Sequence, residues 1–279
     1  MTDLKRLMVS NKAQITAVLF MLIVTIGGGL ALAKYQQHLT DKQVAQNASD
    51  AQRYLTDRKQ AKKQFDEINY AQLSNNMNVK TAVNAKACEK LEQVAKEISK
   101  IADFKASDSA KDKAVVKQAK SASQKYSTDQ ASNDVNNLAA VCARETSISE
   151  FVDAMNSAGE KMSPTSEQFY KKTYQLTSDQ AESLSKSCPY SYLHKSGQEI
   201  CDNQVDVMKK YAQANKLVVD AIAAGKSPLT VADKANSLYD EADKPLNNSV
   251  YKKILGEDAT SETFLAKYVS LISRRVQQL

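Results

Sequence analysis

Across 279 residues the chain has only seven glycines, four prolines and no tryptophan. So few turn-formers leave little room for the reversals of an all-β fold, and the composition predicts an all-α chain. The net charge of +6 divides evenly: residues 1–34 hold four basic groups and one acid, and the other 245 residues hold 34 basic and 31 acidic groups. That near-balance is an ordinary solvated surface and argues against a nucleic-acid binder.

The first element is an uncharged, mostly apolar run over 15–33, preceded by Lys5, Arg6 and Lys12 against a single Asp3. As a helix it reaches about 28 Å, close to one bilayer core. The basic flank over 1–14 should stay cytoplasmic and the bulk of the chain should be translocated. Two readings compete. The length favours an uncleaved single-pass transmembrane anchor. The three glycines at 27–29, followed by Ala31-Leu32-Ala33, also fit a signal peptide cleaved after Ala33. Either way the expected location is extracytoplasmic, with the lipid bilayer as a partner through 15–33 in the first case.

A long polar helix is expected over 34–74, as a stalk, with sparse apolar positions at Val44, Ala48, Ala51, Leu55, Phe65 and Ile68. Within it Arg53, Arg58, Lys59, Lys62 and Lys63 make a basic stretch that could touch anionic headgroups; the simpler reading is a solvated helix face. Segments 75–160 and 161–279 then read as an N-terminal and a C-terminal helical bundle, with a single continuous bundle as the alternative. Ala87, Leu91, Val94, Ile98 and Ile101 recur at coiled-coil spacing, with Cys88 beside the seam. The pattern lapses over 104–109, and a short basic helix passes through Val115 and Val116 to Lys125. Lys111 to Lys125 has one neighbouring aromatic, Tyr126, so a solvated face fits better than a nucleic-acid surface.

Ser127 and Gln130 have capping-box spacing ahead of a helix bearing Val135, Leu138, Cys142, Ile148, Val152 and Met155. Gly159 to Pro164 ends it, and Ser163-Pro164 marks the next start, with a restart expected at Thr177–Gln180. A further helix carries Cys201 to Ile222 and closes at Gly225; Ser227-Pro228 opens the next, and two short helices finish the chain.

The four cysteines all follow the apolar run. An even number in an oxidising compartment predicts two disulfides. Of three possible pairings we favour Cys88–Cys142 and Cys188–Cys201, closing loops worth about 4 and ~3 kcal/mol by chain entropy.

Chemistry is thinly supported. The two histidines, His38 and His194, stand without C-x-x-C or H-E-x-x-H spacing, and Cys188, His194 and Cys201 match no common zinc site. No G-x-S-x-G or glycine-rich phosphate loop is present, so no cofactor, metal or catalytic residue is assigned. The most unusual local composition lies between the last two cysteines. There Tyr190, Tyr192, Leu193 and His194 predict a stapled, partly exposed loop and the best candidate binding surface. The expected function is a non-enzymatic binding, scaffolding or sensory-adaptor module with a protein partner at the cell envelope. The alternatives are a secreted carrier of a small apolar ligand and an envelope enzyme.

Overall fold

The structure, a computed structural model, describes residues 36–68, 85–105 and 114–279. The 15–33 run and the 69–84 end of the expected stalk lie outside the described residues. Among the described residues every regular element is helical, and no helix is long and apolar enough to cross a membrane. The chain divides into two compact units. One takes the described residues up to Thr56 with Asp103–Lys125; the other takes Asp57–Ala102 with Tyr126–Leu279.

Helix α1 covers 36–66. Its buried residues are Ala51, Tyr54, Arg58, Ala61 and Phe65, continued by Ile68 just beyond its end, alternating by three and four. The stripe is thus unbroken, and Arg58 is a member of it. In the first unit Ala51 and Tyr54 are buried, as are Val116 and Ala119 on α3 (Ala114–Lys125). The Tyr54 ring lies 5.9 Å from that of Phe104.

In the second unit, α2 (Ala85–Ser99) packs along α4 (Thr128–Lys161). The predicted seam is real: Leu91, Val94 and Ile98 are buried in the same cluster as Val135, Leu138 and Cys142. Two hydroxyls of α4 also satisfy carbonyls near the end of α2, Ser132 donating to Ala95 O at 3.0 Å and Thr128 to Ile101 O at 2.7 Å. The Cys88–Cys142 disulfide clamps the other end, with Cα atoms 5.4 Å apart.

The start of α4 is the Ser127 cap, whose Oγ accepts from Gln130 N–H at 3.1 Å. The next helix, α5 (Glu167–Ser185), begins later than its sequence suggests: Ser166, rather than Ser163, accepts from Phe169 N–H. Ser163 instead anchors a turn, its carbonyl accepting the Ser166 N–H at 2.9 Å. No restart occurs at Thr177, because its hydroxyl donates to Thr173 O and the helix runs through it. The segment 159–164, where the sequence offers either a bundle boundary or one continuous bundle, lies within one compact unit.

Helix α6 (Gly197–Ala223) lies against α5 and against α7 (Ala232–Ala242). It closes in a Schellman turn: Gly225, at φ +68°, donates to Ile222 O, and Lys226 donates to Ala221 O. A 3-10 turn, Pro228–Val231, leads into α7. Helices α8 (Asn248–Leu255) and α9 (Ser261–Val276) follow, the last held by a Thr260–Thr263 capping box. Phe264, Tyr268 and Ile272 of α9 enter the main core beside Leu138 and Phe65.

Candidate functional site

The segment between Cys188 and Cys201 is a 3-10 turn, Pro189–Tyr192, closed by the disulfide at a Cα separation of 5.7 Å. Of the four residues named for the stapled, partly exposed loop expected here, one is fully buried. Tyr190 is 2% exposed and sits in the core, edge-on to Phe264 and Tyr268 at 5.2 and 5.6 Å. The cause is non-local: α9 returns under the turn and supplies an aromatic socket that sequence spacing does not reveal. Tyr192 keeps 40% exposure, while Leu193 and His194 are half-buried. His194 Nδ1 accepts from Ser196 N–H at 3.1 Å, a local turn contact.

Two polar clusters hold this turn. In the first, Asp134 is fully buried and accepts from Tyr126 OH at 2.8 Å, Tyr192 OH at 2.7 Å and Arg275 Nη1 at 3.4 Å. Burial, then the hydrogen bond to this carboxylate, push the Tyr126 and Tyr192 hydroxyls far above the ordinary phenol range. In the second, Tyr190 OH donates to Glu145 in a short contact. Desolvation raises the Glu145 carboxyl, opposed by that hydrogen bond and by the Arg144 charge. Arg144 donates to Leu184 O at 2.9 Å, Ser187 O at 2.8 Å and Gln204 Oε1 at 2.8 Å, with its guanidinium 6.0 Å from the Tyr190 ring centre. Between the clusters, Tyr268 OH and Asn137 Nδ2 both donate to Pro189 O, at 2.7 and 2.8 Å. These phenols are tied down as donors, which fixes the turn in place.

Cys188 and Cys201 are bonded to one another, which removes them as thiolate ligands. Beside this disulfide lies a solvated cleft of ≈ 590 Å³ carrying Lys186, Asp202, Asp206 and Lys209.

The basic stretch on α1 splits in two. Arg53, Lys59 and Lys63 are exposed, but Arg58 is 1% exposed and cannot meet a membrane surface. Its guanidinium donates to Tyr126 O at 2.8 Å and to Gln278 O at 3.3 Å. Lys62 is half-buried and donates to Gln277 O at 2.7 Å. Carbonyls past the end of α9 lack helical partners, and these cations supply the donors.

A different feature was only half visible in the sequence. Val152 and Met155, expected to be core, instead line a groove of ≈ 380 Å³ with Phe151, Phe169, Tyr211 and Tyr239. All six are half-buried. Helices α4, α5, α6 and α7 each contribute, so only the assembled bundle brings these residues together. No family model, curated protein or solved structure matches this chain.

Proposed function

We propose that the protein is a membrane-anchored, extracytoplasmic helical module that binds or scaffolds a partner at the cell envelope without bond chemistry. The observation that carries this reading is the pairing of all four cysteines, Cys88 with Cys142 and Cys188 with Cys201. Structural disulfides belong to oxidising compartments. The apolar run over 15–33 with its basic flank supplies the route there. The polar clusters around Tyr190 and Asp134 support a rigid scaffold, because their donors and acceptors are spent on holding the turn.

Cell fractionation with intact mass and N-terminal peptide mapping tests this. A full-length chain in the membrane fraction, with thiols blocked to alkylation before reduction, is the expected result. Four alkylated thiols in the native chain would overturn it. A second reading, a secreted carrier cleaved after Ala33, is favoured by the apolar groove on α4 to α7; a soluble chain beginning at Lys34 would select it.

A further inference from the structure

We infer that the groove between α4, α5, α6 and α7 is a binding site for one small, uncharged, aromatic molecule. The inference rests on the binding reading above and names the ligand class.

Size comes first. A volume of ≈ 380 Å³ falls in the range of small-molecule sites, about 300–1,000 Å³. It has room for roughly a dozen water-sized groups at ~30 Å³ each, too few for the long apolar face of a docked helix.

Charge comes second. The lining is Phe151, Val152, Met155, Phe169, Tyr211 and Tyr239 together with Asn156, Thr173, Thr177 and Asn215; none carries a charge at neutral pH. A charged ligand would leave water for a wall that offers it no counter-ion, at a large desolvation cost.

Hydrogen bonding comes third, and it decides against a polar ligand. Apart from the exposed Asn156, the polar side chains of the wall are already engaged within the bundle. Thr173 donates to Tyr170 O at 3.1 Å and Thr177 to Thr173 O at 2.8 Å. Asn215 Nδ2 donates to Tyr211 O at 2.9 Å, and its Oδ1 accepts from Tyr239 OH at 2.9 Å. Tyr211 OH donates to Asp243. What the groove presents is therefore ring faces and edges, a thioether and methyl groups. The Tyr211 and Tyr239 rings lie 5.6 Å apart, and Phe169 stands edge-on to Tyr170 at 5.7 Å. Aromatic walls of this kind select flat rings, and Met155 adapts to their outline.

The test is photolabelling of the full-length chain in lipid nanodiscs with a neutral phenyl diazirine, mapped by peptide mass. The expected result is saturable labelling within 151–156 and 169–177. Met155→Trp, which fills the groove, should cut that labelling about tenfold, a loss of ~1.4 kcal/mol in binding. Label on the 15–33 run serves as an internal reference and should not change. The carboxylate analogue of the same diazirine should label the groove at least about tenfold less. Where Met155→Trp does not fold, Val152→Phe takes its place.

Unsaturable labelling, labelling indifferent to both variants, or equal labelling by the charged analogue would overturn the site. So would self-association that Met155→Trp abolishes while no probe binds, since the groove would then face a second copy. If the site fails while the chain is found full-length in the membrane with its cysteines paired, the groove assignment falls and the binding-module reading stands.

Discussion

Gly197 lies directly beneath the backbone of Tyr190: a Cβ built on it would fall 2.0 Å from Tyr190 O and 2.6 Å from Ser191 N. The first residue of α6 is glycine because the 3-10 turn crosses the helix start at backbone contact. No side chain can yield there, since both clashing groups are main chain. Gly197→Ala should lift the turn off its socket, unseating Tyr190 from Phe264 and Tyr268. We expect a loss of about 2–3 kcal/mol, as for a strongly overpacked site, read as a lowered denaturant midpoint. Gly159, with open space around its Cβ position, is the control that should tolerate alanine.

Asp134 gathers three donors into one fully buried carboxylate. Asp134→Ala strands the buried Tyr126 hydroxyl and removes the partner of Arg275, at an expected cost of about 3–5 kcal/mol. Tyr192→Phe, on a residue 40% exposed, should cost far less, about 0.5–1.5 kcal/mol. Equal losses in the two variants, measured by urea unfolding, would show that burial does not set the scale here.

The buried phenols give the fold a predictable alkaline limit. Tyr126, Tyr190, Tyr192 and Tyr268 are all held above the ordinary phenol value of about 10, and Tyr211 is pushed up to about 12, in each case first by desolvation. A raised folded value means that the unfolded chain releases these protons first. The stabilisation is therefore complete below about pH 10 and declines as pH rises towards and through the folded values. Tyrosinate absorbance of the native chain should accordingly lag behind that of the urea-unfolded chain, with unfolding stability falling from pH 10 upwards. Superimposable titrations would contradict the buried positions.

Arg58 should resist conservative exchange. A lysine cannot span Tyr126 O and Gln278 O with one planar fork. Arg58→Lys is expected to recover less than half of the stability that Arg58→Ala removes, that loss being about 2–4 kcal/mol. Lys59→Ala and Lys63→Ala, on exposed side chains, should change stability by no more than ~0.5 kcal/mol. Within this basic stretch, salt-dependent attachment to anionic vesicles should therefore follow Arg53, Lys59 and Lys63, with Arg58 contributing nothing.

Cysteine removal separates the two staples. Cys88→Ala with Cys142→Ala opens the 54-residue separation and should cost about 4 kcal/mol, against ~3 for the pair Cys188 and Cys201 with its separation of 13. The ordering is checked by thermal unfolding of the two double variants under one buffer condition.

These effects show which parts of the fold the sequence announces. The α2 seam through Leu91, Val94 and Ile98 is legible because its period lies within one helix, and the α6 ending is legible because Gly225 occupies a left-handed position. Local spacing also located the Ser127 cap. It misplaced the next one, since Ser163 and Ser166 are equally good acceptors and the turn between them decides. Arg58 reads as one of a basic surface stretch because only contact with Tyr126 and Gln278, far along the chain, turns a cation into a core residue. Which residue of the stapled loop is buried was hidden for the same reason, the Tyr190 socket being built by α9. The groove was hidden most deeply: Val152 and Met155 have the periodicity of core, and nothing in that spacing says that Phe169 and Tyr211 stop short of covering them.

The hook between Arg58 and Gln278 spans 220 positions of sequence, and it sets an order of events for a chain that emerges from its N-terminal side. Until that distant stretch has emerged, Arg58 can reach Tyr126 O but not Gln278 O, and Phe65 lacks the part of its core that α9 supplies. A contact of such separation is slow to close. During synthesis the unit is thus an open clamp, and it locks only when residues 277 and 278 arrive.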